Sequence, residues 1–188
     1  AYDKSQREIE ELKKQLAQTK GEKEKKQVEA KISDDERMFQ ANEWFEMGKK
    51  HDFNFEHDKA IEAYTRAIEL NPNDAKAYKN RGAAYGRKRQ YDRAIGDYNK
   101  AIAIDPNYAY TYIYRGVAYG RKGQYDREIE DYNKAIAINP NDAYAYNRRG
   151  FAYKNKGQYD RAISDFQKAC DMGDELGCRN LQRALQKR

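Results

Sequence analysis

Glycine returns at Gly48, Gly82, Gly116 and Gly150, 34 residues apart each time with no insertion between. With units counted from Ala41, Ala75, Ala109 and Ala143, other positions recur in step. The fourth residue is Trp44, Tyr78, Tyr112 and Tyr146, and the twentieth is Ala60, Ala94, Glu128 and Ala162. The twenty-fourth is Tyr64, Tyr98, Tyr132 and Phe166, and the twenty-seventh is Ala67, Ala101, Ala135 and Ala169. The thirty-second is Pro72, Pro106 and Pro140, then Asp174. A fixed period of this length means a stack of like supersecondary units, since one unit alone cannot bury its apolar face and must share it with the next.

The period decides how shorter patterns are read. YAYTYIYRG, Tyr108 to Gly116, alternates as a half-buried strand does. Yet within each unit AIxxYxxAI, as in Ala60–Ile68 and Ala94–Ile102, puts apolar residues at i, i+4 and i+7 of one helix face. NPND and DPNY stop that helix, and GRKRQYD and GRKGQYD break the unit near its middle. Each unit is therefore two helices and a tight turn, and Tyr108–Tyr114 is helical by context.

These residues resemble the tetratricopeptide repeat (TPR) family over residues 41–174. The resemblance implies an all-α fold: a right-handed α-α superhelix (TPR solenoid) of four helix-turn-helix repeats, 41–74, 75–108, 109–142 and 143–174. It also implies antiparallel A and B helices in each repeat and a concave groove lined by the A helices. Around the repeats, a charged N-terminal segment over 1–33 and a C-terminal capping helix over 175–188 complete the expected organisation, with 34–174 as the repeat domain. Three positions depart from the family pattern. The seventh is Met47, Arg81, Arg115 and Arg149 where the family usually has an apolar residue; the twentieth is Glu128 in the third unit; and the eleventh is His51 where the others carry Tyr85, Tyr119 and Tyr153.

Groove positions carried over by the resemblance, with the outward tyrosines of the third unit, give Phe45, Lys49, Lys76, Lys79, Arg87, Tyr110, Ile113, Tyr114, Val117, Arg121, Tyr144, Asn147, Phe151 and Lys154. The expected floor is apolar in the middle with cations around it, opposed only by Asp52. Tyr and Arg are frequent at binding hot spots. The expected partner is a protein or peptide with acidic groups or a free carboxylate and an apolar anchor. The other reading makes Tyr110, Tyr144 and Phe151 packing between repeats and leaves the cations merely solvated. Of the five positions that clamp an Hsp70 or Hsp90 tail in some members, Lys79 and Arg148 match, and Ala83, Tyr114 and Tyr144 do not, which argues against an Hsp70/Hsp90-type clamp.

Composition bounds the remainder. The formal charge is +6, and residues 1–40 hold ten basic and ten acidic side chains, so the excess lies in the repeats. No apolar run approaches the roughly 20 residues that a bilayer span needs. Residues 3–20 read as a polar helix with a thin seam at Ile9, Leu12 and Leu16, a short coiled coil through which the chain could oligomerise, or a solvated helix. Gly21 marks a break, and Ser33 with Glu36 forms a capping-box pattern that would start the first A helix near Asp34.

The only cysteines are Cys170 and Cys178. The run KACDMGDELGC resembles the Sel1-like, cysteine-rich relatives of TPR proteins, where this spacing implies a disulfide between paired helices. A bridge here implies an oxidising compartment, and tips localisation towards periplasmic or secreted over cytoplasmic; two reduced cysteines in a cytosolic protein are the alternative. His51 and His57 lack further ligands for a metal. No phosphate loop or nucleophile set is present, so the chain reads as a non-enzyme without cofactors. The leading expectation is a protein-interaction scaffold. Single-stranded RNA binding is the alternative that the pI near 9.1 and the Tyr–Arg interleaving keep open, against the repeat frame; a structural protein oligomerising through its N-terminal helix is another.

Overall fold

The computed structural model describes residues 2–19 and 21–186, and among them all regular structure is helical. Of the predicted terminal segments, Ala1, Lys20, Lys187 and Arg188 lie outside the described residues. Helix α1 (Tyr2–Gln18) precedes four helix pairs, α2 (Glu22–Phe53) with α3 (His57–Leu70), α4 (Ala75–Arg87) with α5 (Tyr91–Ile104), α6 (Ala109–Arg121) with α7 (Tyr125–Ile138), and α8 (Ala143–Asn155) with α9 (Tyr159–Asp171), and α10 (Glu175–Leu185) follows them. The chain divides into two compact units, Ala1–Arg81 and Gly82–Arg188, so the division falls inside α4.

In the first unit, α2 runs for 32 residues through the position where an A helix was expected to begin. The expected start near Asp34 and the boundary at 33/34 are therefore replaced by a start at Glu22, with Gly21 as N-cap. The run EKEKKQVEAKI is rich in strong helix formers. Val28 and Ile32, four residues apart and both buried, give this stretch its own apolar face. Helix α1 packs back along α2 and buries Ile9, with Leu12 and Leu16 half-buried, and Lys13 Nζ lies 3.1 Å from Glu36. Of the seam expected for a coiled coil through residues 3–20, Ile9 is thus covered within the chain, while Leu12 and Leu16 keep part of their surface exposed. Further along, Ala67, Ile68 and Ala77 form a core under Trp44, Phe45 and Tyr78.

The second unit stacks α5 to α10 on one another, each against its sequence neighbour. Tyr112, Ile113, Ile129, Tyr132, Ala135, Ala145 and Ala152 make its main core. The recurrent glycine has a specific cause. A Cβ on Gly82 would lie 2.8 Å from the Tyr98 ring, and one on Gly150 would lie 2.7 Å from the Phe166 ring. The aromatic of the twenty-fourth position therefore packs against the glycine of the eighth, too close for a side chain at Gly48, Gly82 and Gly150 and tightly, at 3.1 Å, at Gly116.

Turn chemistry sets the ends of the helices. Asn71, Asp105 and Asn139 each accept a hydrogen bond from the backbone two residues on, around the prolines. The carboxylates of Asp74, Asp142 and Asp174 then accept from the first-turn N–H groups of α4, α8 and α10. The residue that breaks each pair at its middle is left-handed in all four units: Phe55 at φ 61°, Arg89 at 60°, Gly123 at 72° and Gly157 at 75°.

Candidate functional site

The unusual arginines of the seventh position are packed rather than stray. Arg115 donates through Nε and Nη2 to the Asp131 carboxylate at 2.9 and 2.7 Å, and through Nη1 to Asn99 of the preceding repeat at 2.7 Å. Arg149 repeats this with Asp165 and Asn133. Each guanidinium also lies over two tyrosines, Tyr112 and Tyr119 or Tyr146 and Tyr153, at 5.4–6.0 Å. Lys122 pairs with Asp92 and Lys156 with Asp126, tying neighbouring repeats together. These groups hold the stack.

One cleft in the second unit brings several of the expected residues together. It has a volume of about 430 Å³ and lies between α4, α5 and α6. Arg87, Tyr114, Val117 and Arg121 line it, with Ala83 and Gly86. From α5 and the turn before it come Tyr91, Tyr98 and Arg89, which the groove positions of the A helices leave out. The rings of Tyr98 and Tyr114 stack at 6.1 Å. All the charged side chains among these lining residues are arginines. The missed signal was the aromatic recurring on the B helix, at Tyr91, Tyr125 and Tyr159 and at Tyr98, Tyr132 and Phe166.

The remaining expected residues are placed differently. Ile113 is 3 % exposed and belongs to the core. Asn147 is also 3 % exposed; its amide donates to Asp174 and its carbonyl accepts from Asn180, both at 2.9 Å, so it fastens α10 to α8. Neither presents a surface to a partner. Tyr110 stands 56 % exposed, edge-on to Tyr108. Tyr144 is exposed and accepts from Arg148 Nε at 2.8 Å, with the guanidinium 4.9 Å above its ring. Phe151 packs edge-on to Phe166, and Lys154 Nζ lies 5.9 Å from the Phe151 ring. In the first unit, Phe45 contacts Tyr64, Lys49 pairs with Glu46, Lys76 is exposed and Lys79 is half-buried.

Glu128 occupies in the third repeat the place that Ala94 holds in the second. Its carboxyl lies against Gly120, where a Cβ would come within 2.5 Å of it, and it is 8 % exposed. Tyr132 donates to Oε1 at 3.2 Å, while Oε2 is buried without a partner. Burial pushes the group up to about 7, against the lowering effect of the Tyr132 hydrogen bond and the charges of Arg148 and Arg121. The cysteines are joined: Cys170 of α9 and Cys178 of α10 form a disulfide with Cα atoms 4.5 Å apart. Among the described residues no helix is long and apolar enough to cross a membrane.

Tetratricopeptide repeat models match residues 75–108 and 143–172, and 97–130, and a TPR repeat model matches 56–89 and 121–157. No curated protein matches the sequence. Among solved structures, a crystal structure of MamA is 31 % identical at TM-score 0.69, covering 72 % of this chain and 79 % of that one. The first TPR of Spaghetti (RPAP3), bound to the HSP90 peptide SRMEEVD, is 26 % identical at TM-score 0.62, covering 63 % of this chain and 94 % of that one. The Arabidopsis OM64 TPR domain is 28 % identical at TM-score 0.62, covering 63 % and 98 %.

Proposed function

The chain belongs to the tetratricopeptide repeat family, a fold of protein-interaction scaffolds, and we propose that it holds a partner peptide in the cleft between α4, α5 and α6. The peptide carries an apolar or aromatic anchor flanked by carboxylates. The observation that supports this is the composition of the cleft: tyrosine walls at Tyr91, Tyr98 and Tyr114, with arginines at Arg87, Arg89 and Arg121. An anchor ring buries apolar area against the tyrosines, worth about 25 cal/mol per Å² removed from water. Flanking carboxylates meet guanidinium groups that can bind them in a bidentate manner, which fixes register and excludes basic sequences.

The HSP90 peptide of the RPAP3 neighbour is not the proposed ligand. Of the clamp set for such tails only Lys79 and Arg148 match, and Arg148 Nε is engaged by the Tyr144 hydroxyl. A random peptide library displayed on phage and selected on the whole protein tests the proposal. Enrichment of sequences with Asp or Glu beside an aromatic or aliphatic residue supports it, provided binding is lost in Tyr114→Ala with Arg121→Ala. Enrichment of basic or featureless sequences, or binding that survives the double change, refutes it.

A further inference from the structure

The cleft that the second repeat leaves open returns two repeats later. Ala162 stands where Ala94 stands, and Phe166 where Tyr98 stands, 68 residues on. Between the two, the third repeat places Glu128 at the equivalent position. At the C-terminal end the outer wall is α10 instead of an A helix. The resulting space is about 450 Å³, bounded by Ala162, Ile163, Phe166 and Ala184, with Lys154 from α8 and Arg183 from α10 also lining it.

We propose that this cleft between α8, α9 and α10 is a second binding site, for an apolar side chain that adjoins a carboxylate. Tyr159, 62 % exposed, is the aromatic face open to a guest, and Phe166, 1 % exposed and edge-on to Phe151, backs the cleft. An apolar guest therefore meets an aromatic surface. Both charged lining residues are cations, and they come from two different helices, so a carboxylate held beside the guest is drawn from both sides. The wall is fastened before any guest arrives. The Cys170–Cys178 disulfide joins α9 to α10, and Asn147 ties α10 to α8 through Asp174 and Asn180. A preformed wall spares the guest the cost of ordering it. The inference rests on the preceding reading only for the class of partner, and each site has its own probe residues.

The test is a titration of the whole disulfide-bonded protein, followed by amide chemical shifts, with 3-phenylpropionate, 3-phenylpropanamide and propionate as probes. Phenylpropionate should shift Ile163, Phe166 and Ala184 saturably, about three- to tenfold more tightly than the neutral amide, as one or two exposed charge contacts allow. Arg183→Gln should bring the acid to the affinity of the amide, and Ile163→Glu should remove both. Because Ile163→Glu could disturb packing, Ala184→Glu on the half-buried face of α10 serves as a second block. Tyr114→Ala should leave these shifts unchanged, which separates this site from the α4–α6 cleft. Equal affinity for acid and amide, shifts that miss α9 and α10, or binding that persists in both blocked variants would overturn the proposal.

Discussion

Arg115 and Asp131 meet as a bidentate pair, with Nε and Nη2 at 2.9 and 2.7 Å from the two carboxylate oxygens, and Asp131 is 3 % exposed. The first repeat holds Met47 and Ala63 at the same two positions. Burial keeps the Asp131 carboxyl above its ordinary value in spite of Arg115, so desolvation offsets much of the attraction.

That balance separates single from double changes. Arg115→Met alone strands a buried carboxylate and should cost about 3 kcal/mol, whereas Arg115→Met with Asp131→Ala, the combination of the first repeat, should recover most of the loss. Denaturant unfolding of the four proteins of the cycle measures this. Equal losses in the single and double variants would show the pair to be net stabilising.

The period made part of the fold legible. Once Gly48, Gly82, Gly116 and Gly150 fix the register, the helix pairs follow. The period says nothing before its first unit. There the capping-box pattern at Ser33 is overridden by Val28 and Ile32, whose burial extends α2 back to Glu22. Position rules also fail at the rims of the site. Ile113 and Asn147 hold groove positions, yet one enters the core and the other is spent on α10, the cap that ends the stack. Tyr91 and Tyr98 reach the cleft from the B helix, which rules framed on A helices do not consider.

Glu128 gives the protein a pH dependence with a definite sign. Its folded pKa, about 7, lies above the ordinary carboxyl value of 4.5, so folding favours the protonated form. The stability it contributes is full below about pH 4.5, and is lost as pH rises through about 7, by up to about 3 kcal/mol. Glu128→Gln should flatten the profile between these limits, and Glu128→Ala, the residue of the other repeats, should raise stability at pH 8. Melting curves from pH 4 to 8 read it; the same slope in wild type and Glu128→Gln would reject the assignment.

Arg89 adopts the left-handed conformation that Gly123 and Gly157 take at the same repeat position. A side chain there costs about 1 kcal/mol relative to glycine. Arg89→Gly and Phe55→Gly should each stabilise by about 0.5–1 kcal/mol, less the entropy that glycine adds to the unfolded chain. An Arg89→Gly protein less stable than wild type would mean that the Arg89 side chain contributes more than the strain removes.

The Cys170–Cys178 bridge closes a short loop, and by the chain-entropy relation its loss should cost about 2.5 kcal/mol. Cys170→Ser with Cys178→Ser should lower stability by that amount and speed amide exchange in α10 most. Exchange in α10 that matches wild type would show that Asn147 and the apolar contacts hold the cap without the bridge.

The binding account stands on the arginines of the α4–α6 cleft. The direct measurement is the affinity of one library-selected acidic peptide for wild type and for Arg87→Glu with Arg121→Glu, by fluorescence anisotropy at two salt concentrations. The account predicts a loss of at least about tenfold on charge reversal, and wild-type binding that weakens as salt rises. Unchanged affinity in the reversed protein, or single-stranded RNA displacing the peptide from wild type, would contradict it.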